Sequence, residues 1–124
     1  MAHHLELGAW GENLAVQHLK TKGYIILATN WRYKRAEVDI IVQQNEEVVF
    51  VEVKTRRSTH YGYPELSVGA KKKGLLVKAA GAYIYEKNIE GEIRFDIIAI
   101  VTPDQENYEL KHIEDAFFPY DNDF

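Results

Sequence analysis

Residues 36–54 read Ala36-Glu37-Val38-Asp39-Ile40-Ile41-Val42, then a polar stretch from Gln43 to Glu47, then Val48-Val49-Phe50-Val51-Glu52-Val53-Lys54. Both apolar runs are rich in β-branched residues, and turn residues separate them. This pattern predicts two adjacent antiparallel strands joined as a hairpin.

The position of the turn determines which residues of the two strands face each other. A turn centred on Asn45-Glu46 gives the same register for a two- and a four-residue loop. One face is then wholly apolar, with the pairs Val42 and Val49, Ile40 and Val51, and Val38 and Val53. The other face pairs Ile41 with Phe50, Asp39 with Glu52, and Glu37 with Lys54. A three-residue loop would shift the pairing and exchange the faces, but the all-apolar face favours the first register.

Two carboxylates therefore lie opposite each other, at Asp39 and Glu52. Directly opposed residues have Cβ atoms about 4.5–5.5 Å apart, and like charges there are destabilising. Mg²⁺ would offset the repulsion, because it binds one or two carboxylates and fills its other positions with water and phosphate oxygens. Lys54, roughly 7 Å further along the strand, suits a phosphate or an attacking water. The alternative is a strand with one solvated face, on which these charges have no joint role.

The composition is that of a globular protein, with 46% hydrophobic and 27% charged residues and no cysteine. We expect a single domain over residues 1–124, with an acidic C-terminal strand and tail from about residue 104 to residue 124. The absence of cysteine excludes disulfides and thiolate zinc sites. We find no signal-like or membrane-spanning segment and expect a cytoplasmic protein.

The distribution of charge along the chain is compatible with a nucleic acid partner. The net charge is −4, but the chain from Asp104 onward carries seven acids and one base, so the rest carries +2. Local charge matters more than the total for such binding. The candidate phosphate contacts are six bases: Arg32, Arg56, Arg57, Lys71, Lys72 and Lys73.

Elsewhere the periodicity predicts two helices, two or three further strands and a loop. The helices are expected at Leu5 to Lys22 and Val68 to Glu86. The strands are expected at Tyr24 to Asn30, Glu92 to Thr102 and, shorter, Tyr108 to Ile113. A loop is expected from Thr55 to Tyr63. A loosely held acidic tail is expected from Glu114 to Phe124, with its aromatic residues Phe117, Phe118 and Tyr120 as candidates to pack back on the domain.

The first helix carries two features that its apolar face does not explain. Glu12 lies on the side shared with Ala15 and Leu19; a glutamate at the edge of that face, reaching water, is the alternative to a functional carboxylate. Gly8 and Gly11 each weaken the helix by about 1 kcal/mol relative to Ala. They indicate close packing or an approach of the backbone to a ligand.

The acid at Asp39 followed by Glu52-Val53-Lys54 resembles the motif of the PD-(D/E)XK nuclease superfamily. Over nearly the whole chain the sequence is similar to the uncharacterised bacterial YraN-like family, which is considered similar in fold to archaeal Holliday junction resolvases. The segments that carry this likeness are Gly8 to Glu12, Asn30 to Arg32, Glu37 to Ile41, Phe50 to Arg56, and Phe95-Asp96. The family usually has Gly where Ala36 stands, and the superfamily motif's proline is absent.

The resemblance implies an α/β, restriction-endonuclease-like fold with a mixed central β-sheet flanked by helices. It implies Asp39, Glu52 and Glu12 as catalytic metal ligands for Mg²⁺ or Mn²⁺, and Lys54 as the catalytic lysine. The expected function is metal-dependent cleavage of phosphodiester bonds in nucleic acid, with DNA favoured over RNA. Both branched and linear substrates remain open, and a branched one would require two active sites, as in a homodimer. The alternatives are a non-catalytic nucleic-acid-binding module and a protein-interaction domain that docks through its acidic tail.

Overall fold

The computed structural model of the chain describes residues 6–118. In that part of the chain, two α-helices and five β-strands follow one another, with a short 3-10 helix before the second α-helix. In chain order they are α1 (Leu7–Thr21), β1 (Ile25–Tyr33), β2 (Ala36–Gln44), β3 (Glu47–Arg56), the 3-10 helix (Pro64–Ser67), α2 (Ala70–Lys87), β4 (Ile93–Val101) and β5 (Glu109–Phe117).

The five strands form one mixed sheet in the order β1-β2-β3-β4-β5. Neighbouring strands are antiparallel except β3 and β4, which are parallel, and α2 lies in the crossover that a parallel pair requires. Helix α2 packs Leu76 and Tyr83 into one apolar cluster, and α1 packs Ala15 and Leu19 into another. Alternate residues of β3 belong to the two clusters. The predicted α/β, restriction-endonuclease-like arrangement of a mixed sheet flanked by helices is therefore confirmed.

The predicted register of the hairpin is confirmed over its inner half. Strands β2 and β3 are joined at Asn45-Glu46, and their paired residues run from Gln44 with Glu47 to Ile40 with Val51. Asn45 has φ 55°, a left-handed conformation that asparagine tolerates better than most residues. A two-residue turn of this kind fixes the register that the sequence predicted.

The outer half of the hairpin differs from the prediction, because the pairing of β2 with β3 stops at Ile40. Val38 does not face Val53 across the ladder, and it belongs to the α2-side cluster, whereas Ile40 belongs to the α1-side cluster. From Val38 outward, β2 is paired with β1 alone, Val38 itself with Trp31. The predicted all-apolar face is thus broken at Asp39, where β2 separates from β3.

The other elements match the predicted ones with changes at their ends. Strand β1 continues to Tyr33 because its last residues pair with the start of β2. The predicted loop begins only after Arg56, and the 3-10 helix that follows it was not predicted. The first predicted helix residue, Leu5, lies outside the described residues. Neither α-helix has the length and apolar content that a bilayer span needs.

The predicted C-terminal tail is wrong in its first part. Strand β5 extends to Phe117, beyond the predicted end at Ile113. Phe117 is buried and stacks on Phe95, with ring centroids 4.9 Å apart. Burial of this ring holds the acidic segment to the sheet, in agreement with the expectation that aromatic residues of the tail pack back on the domain. The remainder of the predicted tail, residues 119–124, lies outside the described residues.

Helix α1 approaches the end of β3 closely at Gly11. A Cβ added there would overlap the Thr55 hydroxyl and lie 2.9 Å from Thr55 Cβ. Of the two interpretations of the helical glycines, the structure supports close packing at Gly11, whereas Gly8 has no atom within 4 Å of such a Cβ. The missing side chain sets the distance of α1 from the end of β3, next to the charged residues described below.

We expect Gly11→Ala to destabilise the protein by about 1–3 kcal/mol, because the added methyl overfills a packed contact. Gly81→Ala is the matched control: it lies in α2 with open space around the added Cβ and should stabilise by about 0.5–1 kcal/mol. Urea denaturation measures both. Equal effects of the two substitutions would contradict this account of Gly11.

Candidate functional site

Asp39 and Glu52 lie together where β2 separates from β3. The Glu52 side chain is 2% exposed and Asp39 is 9% exposed. The Val53 N–H has no partner in the ladder with β2, and Asp39 Oδ2 accepts its hydrogen bond at 2.8 Å. The strand separation thus turns the Asp39 carboxylate inward, against Glu52.

Burial and the neighbouring carboxylate raise the pKa of Asp39 to about 8. Desolvation is the largest cause, a hydrogen bond and charge repulsion with Glu52 act in the same direction, and the Val53 N–H and the charge of Lys72 oppose them. Two carboxylates in contact cannot both ionise freely in a dry site. Near neutral pH the pair therefore retains a proton unless a cation takes its place.

Two lysines approach one oxygen of Glu52 from different elements. Lys72 Nζ of α2 lies 3.4 Å from Glu52 Oε2, and Lys54 Nζ of β3 lies 3.8 Å from the same atom. The other oxygen, Oε1, is buried and, unless Asp39 carries a proton, has no hydrogen-bond donor among the described residues. A buried acceptor without a donor is rare in folded proteins, so the proton on Asp39, or a cation in its place, is the partner that Oε1 requires.

Glu12 is held beside this pair but is not in contact with it. Glu12 Oε1 accepts a hydrogen bond of 2.8 Å from Asn30, whose amide also reaches Glu37 at 3.3 Å. Partial burial raises the pKa of Glu12, the Asn30 bond lowers it, and the charges of Asp39 and Glu37 raise it. Within residues 6–118, no three His, Asp or Glu side chains are grouped closely enough to hold a metal ion.

The predicted pair of Glu37 with Lys54 does not form. Glu37 makes an ion pair of 2.9 Å with Arg32 on the neighbouring strand β1, and Lys54 pairs with Glu52 on its own strand. The reason is the same separation of β2 from β3, which leaves Glu37 beside β1 alone. The Arg32 side chain is 73% exposed, so its ion pair still leaves it open to solvent.

Four of the other five bases predicted to contact phosphates interact with other residues of the protein. Arg57 donates to the Pro103 carbonyl and to Gln105, and Arg56 donates to the Thr55 carbonyl and to Ser67. Of the three lysines that open α2, Lys72 meets Glu52 and Lys73 lies over the Phe117 ring, 5.5 Å from its centroid. Lys71 is exposed. The three lysines therefore do not form one uniform basic surface.

A second buried charged group was not predicted from the sequence. Asp96 on β4 is fully buried and accepts two hydrogen bonds of 2.8 Å from Arg94, one of 3.0 Å from the Asp115 N–H, and a contact of 2.7 Å with His112. Burial opposes the charge of Asp96, but hydrogen bonds from His112 and Arg94 outweigh it and lower its pKa. The Phe95-Asp96 segment had been noted only as part of the resemblance, and a lone Asp in an apolar strand is the signal that could have found it.

The carboxylate pair suits a hard divalent cation. Once Asp39 loses its proton, Glu52 Oε1 has no donor among the described residues, and Mg²⁺ binds one or two carboxylates while keeping its other ligands from water and phosphate. A site with only two protein carboxylates fits that preference. The neighbouring ammonium groups of Lys54 and Lys72 suit a bound phosphate.

Fold and site together define a class of protein: a restriction-endonuclease-like α/β domain with a buried carboxylate pair and adjacent lysines at the separation of two strands. Comparison with known proteins then gives the family. Residues 11–100 match the model of the uncharacterised protein family UPF0102. The chain belongs to this family, which confirms the YraN-like resemblance.

Similar curated proteins cover almost the whole chain. A UPF0102 protein of Flavobacterium psychrophilum is 46% identical over 120 residues, which is 97% of this chain and all of the relative. One from Flavobacterium johnsoniae is 48% identical over 124 residues, with the same coverage of both chains. One from Persephonella marina is 43% identical over 111 residues, covering 89% of this chain and 91% of the relative.

We expect Asp39→Asn to stabilise the protein, and more so at pH 9 than at pH 5. The pKa of Asp39 in the folded protein is raised from its usual 3.8 to about 8. Protonated Asp39 therefore makes its full contribution to the unfolding free energy below about pH 4, and this contribution is lost as the pH rises towards about 8. Asparagine keeps the neutral form at every pH. At pH 9 the gain in unfolding free energy should exceed about 1.4 kcal/mol, the equivalent of one pKa unit.

Thermal denaturation in the presence of a chelator, at pH 5 and pH 9, measures this effect. Glu90→Gln, an exposed acid after α2, is the control and should show no such pH dependence. If Asp39→Asn raises the stability by the same amount at pH 5 and at pH 9, Asp39 is not held protonated in the folded protein.

The buried Asp96 group gives a separate prediction. Arg94→Met leaves the Asp96 charge without its guanidinium and should cost about 3–5 kcal/mol of unfolding free energy. Arg32→Met removes an exposed ion pair and should cost no more than about 1 kcal/mol. Urea denaturation of both variants tests the difference, and similar losses would refute the assignment of Asp96 as a structural charge.

Proposed function

We propose that this protein is a nuclease that hydrolyses phosphodiester bonds of DNA with Mg²⁺ or Mn²⁺ held by Asp39 and Glu52. The observation that carries the proposal is the buried contact between the carboxyl groups of Asp39 and Glu52, in which only a proton on Asp39 gives Glu52 Oε1 a donor among the described residues. A divalent cation would replace that proton and bind both carboxylates. The likeness to the PD-(D/E)XK superfamily supports the same residues.

Each residue of the site has a distinct part in this scheme. Asp39 and Glu52 would hold the cation, while the Val53 N–H fixes the orientation of the Asp39 carboxylate and Lys54 lies beside Glu52. When bound, Mg²⁺ or Mn²⁺ supplies a Lewis acid for the phosphate and a water of lowered pKa as nucleophile. Lys54 lies beside Glu52, where its ammonium would steady the nucleophile or the negative charge that develops on the phosphate.

Glu12 has a supporting part in the proposal. It lies close enough for the charge of Asp39 to raise its pKa, yet its carboxylate is held by Asn30. We propose that Glu12 binds the cation through a water and not directly, since no three-carboxylate group is formed. Arg32 and Lys71, which are exposed, are the bases best placed to contact DNA phosphates without reading sequence.

The proposal extends to branched DNA, cut by two copies of the chain in the cytoplasm. A junction that must be cut in two strands needs two active sites, and a symmetric dimer would provide them. This part rests on the resemblance to junction resolvases. The competing function is binding to DNA without cleavage.

We expect the protein to cleave DNA in Mg²⁺ or Mn²⁺ and to be inactive in a chelator. Glu52→Gln keeps the shape of the side chain but removes the charge, and it should lower the cleavage rate by at least about a hundredfold. Glu65→Gln is the control, because Glu65 is a partly buried glutamate paired with Lys111, on the 3-10 helix. Four-way branched, duplex and single-stranded DNA are compared in one gel assay.

The outcomes separate the alternatives. DNA binding without cleavage in either metal, unaffected by Glu52→Gln, would establish the binding module instead. Cleavage that Glu52→Gln leaves intact would place the activity at another site.

A further inference from the structure

Lys72 makes the shorter of the two ion pairs of Glu52, yet it comes from a different element. Its ammonium lies 3.4 Å from Glu52 Oε2, against 3.8 Å for Lys54. Lys72 belongs to the opening turn of α2, where the helix dipole disfavours a positive charge. Attraction to Glu52 thus holds a lysine at a position that is otherwise unfavourable for it.

We propose that Lys72 is the internal counter-ion of Glu52 and that a divalent cation displaces it on binding the carboxylate pair. This inference rests on the proposed function and adds a step to it, the exchange of one cation for another. The Lys72 ammonium and the divalent cation are stabilised by the same carboxylate, and they repel each other at such short range. In the protein without metal, Lys72 compensates the charge of the buried Glu52.

The attachment and the exposure of the two lysines explain why the divalent cation displaces Lys72 from Glu52 and leaves Lys54 in place. The charged groups around the site are Asp39 on β2, Glu52 and Lys54 on β3, and Glu12 on α1. Lys54 is fixed by the same strand as Glu52, and its side chain is 25% exposed. Lys72 reaches across from a helix, and its side chain is 38% exposed, so its ammonium has a direct path to solvent.

Displacement gives Lys72 a second role. Once free of Glu52, its ammonium lies next to the exposed Lys71 on the turn of α2 that faces the carboxylate pair. A phosphate bound beside the cation would meet that ammonium. Lys72 is then a substrate contact that becomes available only when the site is loaded.

The test compares Lys72→Gln with Lys71→Gln, which remove the same charge from neighbouring positions. Mn²⁺ binding is measured by electron paramagnetic resonance on the full chain. Lys72→Gln should bind Mn²⁺ about three- to tenfold more tightly than the wild type, since a competing charge in partly exposed surroundings is removed. Lys71→Gln should change the affinity little, and Lys72→Arg should retain the wild-type value.

Two further measurements show whether the effect arises from the exchange. In chelator, Lys72→Gln should lower the melting temperature more than Lys71→Gln, because Glu52 loses its counter-ion. With Ca²⁺, which binds carboxylates at longer distances than Mg²⁺, Lys72→Gln should weaken DNA binding and reduce the salt slope by about 1. Tighter metal binding together with weaker DNA binding by Lys72→Gln distinguishes the proposed role from a general structural one, because structural damage would weaken the binding of metal and of DNA alike.

Unchanged or weaker Mn²⁺ binding by Lys72→Gln would overturn the inference. The metal titration decides it even if the wild type cleaves no DNA, because it needs no turnover. Conversely, cleavage by the wild type together with unchanged metal affinity in Lys72→Gln would leave the nuclease proposal standing without the exchange.

Discussion

The structure of this UPF0102 protein depends on one unfavourable contact, that between the carboxyl groups of Asp39 and Glu52. The contact exists because β2 leaves β3 after Ile40, and the Asp39 side chain takes over the hydrogen bond that the next backbone pair would have made. The same separation places the two carboxyl groups against each other with no ladder hydrogen bonds between β2 and β3 beyond Ile40.

The rest of the fold provides the rigidity that such a contact requires. Strand β3 lies in the middle of the sheet and is covered by an apolar cluster on each face, so Glu52 cannot turn away to water. Helix α1 approaches the end of the same strand at Gly11, and α2 brings Lys72 to its other side. Burying the pair costs stability, which apolar packing on both faces of the sheet offsets.

The two buried acids of neighbouring strands differ in how their oxygens are bonded. Asp96 is enclosed by donors: Arg94, the Asp115 N–H and His112 satisfy both of its oxygens, and they lower its pKa. Glu52 has two lysines on one oxygen, and among the described residues a protonated Asp39 is the one donor for the other oxygen. Permanent donors therefore complete the hydrogen bonding of Asp96, whereas that of Glu52 depends on a proton.

The sequence by itself determined the hairpin, its turn and its inner register, and with the acid-X-lysine spacing it identified Asp39, Glu52 and Lys54. These features are local, because strand periodicity and turn length fix which side chains share a face. Only the tertiary structure decided that β2 leaves β3 at Asp39, that Lys72 and not its neighbours meets Glu52, and that Glu12 is held by Asn30. It also decided that β5 continues to Phe117 and stacks this ring on Phe95. Those contacts join elements far apart in sequence, and their distances follow from how helices and sheet pack, which no local pattern encodes.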